Sequence, residues 1–512
     1  MKRNYIVCIL FALLGCLNMQ AYDFEVGGIY YNITGTDSVS VAFGANRYEG
    51  SITIPATVQY ESEVYNVVAI DSAAFYYCTG MTSIALPESV TKIGMSAFRN
   101  CSGLTSLTIP AGVTSIAYSA FFGCSGLTTI NLPAGVTTVE PYTFFGCKRL
   151  TSINLGGISK IGGSAFAGCV ALSNVVLPET LTVIESHTFE GCSGLKSVNI
   201  PAGVKNIGDY AFRNCGLTSI AFPEGVAQIG RYTFEGCTGL TSLYFPSSIK
   251  SISFSSFVGC TNLGSIIVAD GNTVYDSRNN CNAVVETYIV DAKTEKKAYR
   301  LILGCKSSII PEGVDEIASY AFMNCTGLAN LIIPESVSSI GVSSFQGSDL
   351  TSVVIPEGVA TIDSDCFADC KSLTSVTLPK TVKNIYDGAF KNCTALETFY
   401  CNVEADNSKV NISVAADAFD STPIEQVTLY VPENSVEKYG EVAPWNQFAA
   451  IMVIGENLVS PQKDSETAIE SLKGAGKVQQ VYGLGGQQSS KLQRGINVVR
   501  MSDGTTRKVL VK

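Results

Sequence analysis

The chain has 512 residues, a formal net charge of −10, and charged side chains at only 15% of positions. An acidic chain without a basic stripe lacks the electrostatic footprint of a nucleic-acid binder. One His (His187) and one Trp (Trp445) leave little material for metal or acid–base chemistry, and the sequence calls for no cofactor.

Residues 1–21 begin with Lys2 and Arg3, continue through an apolar run, and end at Ala21. The run is too short to span a bilayer comfortably and sits where an export signal sits. We expect a signal peptide cleaved near Ala21. The alternative is a lipoprotein signal: Leu13-Leu14-Gly15-Cys16 resembles a lipobox and would make Cys16 the lipidated N-terminus. No other segment is long and apolar enough for a membrane span.

Residues 22–49 alternate as strands do, with Gly27-Gly28 and Gly35 as turn points. A stacked array exposes core and strand edge at its first coil. This segment is therefore expected to be an N-terminal β cap, with Tyr22, Phe24, Tyr30 and Tyr31 as apolar cover.

From residue 50 the sequence repeats. The unit is seen in CSGLTSLTIPAGVTSIAYSAFFG, residues 101–123, after which Cys124 starts the next copy. Phe recurs three places before Cys, from Phe75 and Phe98 through Phe390, with Phe419 closing the series. Within a unit the apolar places are Leu104, Leu107 and Ile109, then Val113 and Ile116, then Phe121 and Cys124. The first three read L-x-x-L-x-I, a leucine-rich repeat strand. Pro110 ends that strand because it has no N–H to donate. One coil cannot bury these side chains alone, so neighbouring coils stack about 4.8 Å apart and share one core. The expected fold is mostly β: a leucine-rich-repeat solenoid of about fourteen 22–23-residue coils over 50–263 and 311–432, the step being read from the Phe spacing.

Twelve of the 18 cysteines occupy the repeat place, where Ser348 substitutes once. Export would favour pairing them. Equivalent side chains of successive coils point the same way, however, which is poor disulfide geometry. We read a ladder of small buried thiols.

The period breaks at 264–310, an island insertion. VVETYIV and AYRLILG look like a hairpin around residues 291–297. Lys293, Lys296 and Lys297 there form either a docking site or a solvated, charge-blunted edge. Cys281 and Cys305 lie off the repeat register and are candidates for a disulfide. Residues 433–455 read as a C-terminal cap in which Trp445 and Phe448 cover the last coil. Residues 456–477 read as a linker, and 478–512 as a small C-terminal β module.

Outward strand places are uniform: Thr105, Thr108, Thr128, Asn131, Asn154, Asn199 and Tyr244 are among them. Stacked, they form a sheet of hydroxyls and amides, either a binding face or a solvated β surface suited to Thr.

The motif L-x-x-I/L-x-I-P-x-G-V-x-x-I-x-x-x-A-F-x-x-C, seen in LTSINLPAGVTTVEPYTFFGC and LTSVVIPEGVATIDSDCFADC, resembles the BspA-like class of leucine-rich repeats. Island insertions of this kind also resemble those of that class. The resemblance implies an exported, non-enzymatic bacterial surface protein, some members being adhesins for host matrix or cell-surface proteins or glycans. The tail, with Val481-Tyr482, residues 495–499 and a terminal Lys-Val-Leu-Val-Lys, is similar to type IX secretion sorting domains. It departs from them in being short and in having Gly483 where an acidic residue is usual. That similarity implies outer-membrane anchoring through the tail, as a lipid on Cys16 would also give. Two alternatives remain: a structural spacer, and a β-helix-type polysaccharide-acting enzyme. The enzyme would need Asp, Arg, Lys or His clustered on one face, and Asp363, Asp365 and Asp369 gather in one coil without a basic partner.

Overall fold

The computed structural model describes residues 22–44, 47–406 and 409–454, and the backbone alone of 478–483, 488–489, 495–501 and 506–511. The signal segment with Ala21 and Cys16, and the linker at 456–477, lie outside the described residues. The chain forms two compact units, Met1–Ser277 and Arg278–Lys512.

The first unit opens with β1 (Phe24–Val26), β2 (Ile29–Ile33) and β3 (Ser38–Val41), paired antiparallel. The β1–β2 turn places Gly27 and Gly28 at φ 63° and 81°, where glycine has no Cβ penalty. Phe24, Tyr30 and Tyr31 are buried, as capping requires. Antiparallel pairing continues past residue 49. β4 (Thr57–Tyr60) and β5 (Glu63–Ile70) form a hairpin that turns at Glu61, and β5 also runs parallel to β3. The Tyr60 ring lies on Phe24, 4.2 Å between centroids. Meanwhile Gly50–Thr53 already pairs parallel with Met81–Ala85, so the strand face of the array begins at residue 50.

Each later coil contributes to parallel ladders. Ser106–Leu107, Thr129–Ile130, Ser152–Ile153 and Asn174–Val175 build one. Val183–Ile184, Asn206–Ile207, Gln228–Ile229 and Ser251–Ile252 belong to another. Inward residues such as Leu104, Leu107, Val113 and Ile116 are buried. The A-F-x-x-C turn is held to the next coil by backbone bonds, for example Phe121 N to Thr143 O at 2.9 Å. Its entry residue takes positive φ in coils with quite different side chains there: Ser119 56°, His187 59°, Tyr210 59°.

In the first unit the repeated Phe forms a continuous stack. From Phe75 to Phe257, successive centroids lie 5.0–5.6 Å apart with planes within 8°. The repeated Cys explains its own spacing. Cys124 Sγ donates to Phe98 O at 3.0 Å and Cys147 Sγ to Phe121 O at 3.3 Å, each reaching back one coil. Apart from the partly buried Cys325, the thiols at the repeat place are buried, and none is in a disulfide, which is the ladder the repeat implies. Burial pushes the Cys124, Cys169 and Cys237 thiols up to about 12, so they stay protonated and inert.

The second unit begins with the expected hairpin, β6 (Val284–Asp291) against β7 (Lys296–Leu303). β7 joins the coils through Arg300↔Glu316 and Leu301↔Ile317. The Cys281–Cys305 disulfide is not formed. Cys305 Sγ donates to Asn282 O at 3.4 Å, and Cys281 Sγ lies 3.7 Å from Ala283 O, so each thiol is turned to backbone. Farther on, β8 (Ser352–Val354), β9 (Ser375–Leu378), β10 (Thr398–Cys401), β11 (Thr428–Val431) and β12 (Ala450–Val453) make a five-stranded parallel sheet. The Phe stack recurs from Phe322 to Phe419, with centroids 5.3–5.5 Å apart. The short helix α1 (Val436–Glu441) precedes β12. Tyr439, Trp445 and Phe448 are buried, and Trp445 packs on Phe399 and Phe419. The expected cap aromatics thus close the core, but one further strand, β12, follows them.

The tail backbone forms a separate antiparallel sheet in the order Gln488–Ser489, Val478–Gly483, Gly495–Met501, Thr506–Val511. The side chains there lie outside the described residues.

Candidate functional site

The strand face is built by period 2: inward residues enter the core and the intervening ones face out. Its outward places have different duties. At the first, hydroxyls are engaged within the fold. Thr105 Oγ1 lies 3.5 Å from Thr82 O, Thr128 Oγ1 donates to Thr105 O at 3.1 Å, and Thr151 Oγ1 to Thr128 O at 3.3 Å. Each carbonyl also accepts the neighbouring backbone N–H, as Thr105 O does from Thr128 N at 3.1 Å. Thr105 and Thr128 therefore reinforce the coil ladder.

At the third outward place the candidates separate. Thr108 and Asn131 are exposed polar residues. Asn154 Oδ1 accepts Gly156 N at 3.0 Å, a local turn bond. Asn199 is a clamp: Oδ1 accepts Leu177 N at 2.9 Å and Nδ2 donates to Leu177 O at 3.0 Å. No strand is assigned at residues 197–200, so this side chain supplies the ladder contacts to the coil before it. Tyr244 is 53% exposed and stands opposite Ile267, 51% exposed.

In the second unit the same place is a row of larger groups. The register sets Val354 beside Thr377, Thr377 beside Tyr400, Tyr400 beside Tyr430, and Tyr430 beside Met452. The Tyr400 and Tyr430 rings stack at 4.6 Å and 14°. Burial and the neighbouring Tyr430 raise the Tyr400 hydroxyl above its ordinary value, so this phenol is a neutral donor. A hydroxyl row of Ser352, Ser375, Thr398 and Thr428 runs alongside, with Thr398 Oγ1 donating to Ser375 Oγ at 3.0 Å. Neither row contains a charged residue. Reading for hydroxyls and amides missed Tyr400, Tyr430 and Met452. Their signal was register: LETFYC and VTLYVP place Tyr where LTSLTI places Thr108.

The hairpin places Lys293, Lys296 and Lys297 together at an exposed tip, beside exposed Ile289 and Val290. Asp291 accepts Lys293 N at 2.9 Å and Thr294 Oγ1 at 2.7 Å, so its carboxylate shapes the turn and its pKa is lowered. At the hairpin base Arg300 Nε meets Glu316 at 2.8 Å and Nη1 meets Glu286 at 3.3 Å. Burial raises the Glu286 carboxyl against the opposing pull of Arg300.

The turn face of the first unit carries His187. Its ring stacks on Tyr210 at 4.7 Å, and Tyr210 stacks on Tyr232 at 5.2 Å. His187 Nδ1 meets Glu190 at 2.7 Å, and Arg213 bridges Glu190 and Glu235. This is a surface ladder of stacked rings, with Arg213 making ion pairs across successive coils. Among the described residues no group of three His, Cys, Asp or Glu could hold a metal ion, and no helix is long and apolar enough to cross a membrane.

A model of the BspA type leucine-rich repeat region (6 copies) matches residues 68–196, 159–284 and 292–425. The chain belongs to the BspA-type leucine-rich repeat family. Among solved structures it is similar to a leucine-rich repeat protein from Bacteroides ovatus ATCC 8483, at 26% identity and a TM-score of 0.51 over 74% of this chain and 94% of that one. It shares its fold with a leucine-rich cell surface protein from Faecalibacterium prausnitzii A2-165, at 24% identity and a TM-score of 0.50 over 85% of this chain and 95% of that one. No curated protein matches the chain. The outward rows described above are surfaces of this repeat array.

Proposed function

We propose that this BspA-type repeat protein is an exported, non-enzymatic surface scaffold that binds host matrix or cell-surface proteins or glycans across the strand face of its coils. The observation that carries this reading is the uncharged row Val354–Thr377–Tyr400–Tyr430–Met452. A solvated β surface has no need of large apolar groups at an outward place, yet Met452 is 51% exposed and Ile332, in an earlier coil, 50%. Tyr and Met are enriched at interface cores, where charge is depleted. The cell-surface description of the F. prausnitzii protein supports the location, as do the leader and the tail similarity.

The test is an array of matrix proteins and glycans probed with the wild-type chain and with a Tyr400→Ser/Tyr430→Ser variant. The reading expects a ligand whose binding falls at least tenfold in the variant. A chain that binds nothing would instead be a spacer. Retention through Lys293, Lys296 and Lys297 would move the site to the hairpin tip and would show as loss in a triple Lys→Ser variant only. For export, deletion of residues 478–512 should leave the protein in the periplasm; surface display of the deleted form would refute a sorting role for the tail. Labelling Cys16 with a radioactive fatty acid would separate the lipoprotein route from cleavage near Ala21.

A further inference from the structure

The last strand of the second unit is an open edge. β12 pairs with β11 on one side, and among the described residues no strand pairs with its other side. Ile454 N donates to Val431 O at 2.9 Å. Backbone groups alternate sides along a strand, so Met452 is also aimed at β11, while Ile451 and Val453 turn their N–H and C=O groups away from it.

Edges are usually blunted by Lys, Pro, a bulge or inward charge. Residues 449–454, Ala-Ala-Ile-Met-Val-Ile, carry none of these. The side chains are also incompletely covered. Val453 stands in register with the core residue Val431, which is fully buried, yet Val453 is 43% exposed. The end of a repeat array needs a cover for its core as well as for its edge.

We propose that a second copy of this chain supplies that cover, through antiparallel pairing of β12 with its counterpart about a two-fold axis at Met452. That axis sets Ile451 opposite Val453 of the partner, and Val453 opposite Ile451. These are the two residues whose backbone groups point outward, so all four groups on each strand become hydrogen-bonded. Met452 meets its own copy as a non-hydrogen-bonded pair, where side chains come closest. An axis perpendicular to the sheet keeps inward faces on the same side. Val453 of one copy then packs beside Ile451 of the other, and the two cores meet. The stretch is uncharged, so pairing it with itself adds no charge repulsion between two copies of a chain of net charge −10.

Sedimentation velocity on the full chain over a concentration series tests this, with hydrogen exchange at Ile451 and Val453 as the local readout. The expected result is a doubling of mass with rising concentration, and amide protection at those two residues that is lost on dilution. Met452→Lys, which sets two ammonium groups face to face, should return the monomer with an unchanged circular dichroism spectrum, while Thr108→Lys should leave the dimer intact. A monomer at every concentration would overturn the proposal, as would a dimer indifferent to Met452→Lys. Protection of Ile451 and Val453 in the monomer would also overturn it, by showing that the edge is covered by the chain itself.

Discussion

The coils at residues 104–154 and those at 352–452 are built on the same interior and differ on one outward row. Inside, both stack Phe on Phe at nearly the same spacing, 5.3 Å for Phe98–Phe121 and 5.4 Å for Phe345–Phe367. Both also return a Cys thiol to the Phe carbonyl of the coil before, at 3.0 Å for Cys124 and 3.1 Å for Cys370. Outside, the first region presents Thr108, Asn131 and Asn154, and the second presents Val354, Thr377, Tyr400, Tyr430 and Met452. Shared interiors follow from the stacking rule, which needs the same residue at the same place in every coil. The outward row is under no such rule, so its residues are free to vary from coil to coil.

The largest expected effect concerns what the regions share. Phe189→Ala or Phe367→Ala should each cost about 3–5 kcal/mol by removing one buried ring from the stack. The loss of hydrogen-exchange protection should be confined to the coils on either side, as nearest-neighbour coupling requires. Uniform loss along the chain would contradict the solenoid account for both regions at once.

Next come the outward rows. Removing both rings with Tyr400→Ser/Tyr430→Ser should cost only about 0.5–1.5 kcal/mol of stability for the stacking itself. Equal stability loss and ligand loss would mean that the rings are structural. Smaller again is the contrast among amides in the first unit. Asn199→Ala should destabilise by about 1 kcal/mol, since it leaves the Leu177 N–H and C=O without their partners. Asn131→Ala, at an exposed outward place, should be close to neutral in thermal melts. Similar melting shifts for the two would refute the clamp.

The smallest effect at neutral pH is that of the thiols. Their folded pKa values are raised, to about 12 for Cys124 and Cys169, from an ordinary value of 9.0. Below that ordinary value neither folded nor unfolded thiols ionise, and stability is unaffected. Between about 9 and 12 the unfolded chain ionises while the folded one does not, so denaturation midpoints should fall as pH rises. Native protein at pH 8 should react slowly with a thiol reagent and fully only in denaturant. Rapid native reaction at the repeat cysteines would mean that the ladder is open.

Much of the interior was legible because it repeats. Phe three places before Cys, the L-x-x-L-x-I strand and Pro110 each follow from a constraint acting on every coil. The hairpin at 284–303 and the cap aromatics were legible for the same reason, since they interrupt or end a regular pattern. The surface was less so. Thr105 and Thr128 look like free hydroxyls in a sequence, and only the coil-to-coil geometry shows them bonded to the carbonyl before. Asn199 reads like Asn131 because the absence of strand pairing at 197–200 has no sequence mark. Cys281 and Cys305 looked like a pair because both leave the register, but each thiol turns to a nearby carbonyl. Tyr400 and Tyr430 were visible as letters and not as a row, because 30 residues separate them instead of the usual step.

The central proposal is that a ligand is held by the outward row Val354–Thr377–Tyr400–Tyr430–Met452 and not by the row Thr108–Asn131–Asn154. It is tested most directly by measuring affinity for the ligand that the array retains, in two double variants side by side. Tyr400→Ser/Tyr430→Ser should weaken binding by more than about tenfold, the effect of losing a central aromatic anchor, while Thr108→Ala/Asn131→Ala should leave it unchanged within about twofold. The opposite ranking, with the Thr108/Asn131 variant losing the ligand and the tyrosine variant keeping it, would contradict the account.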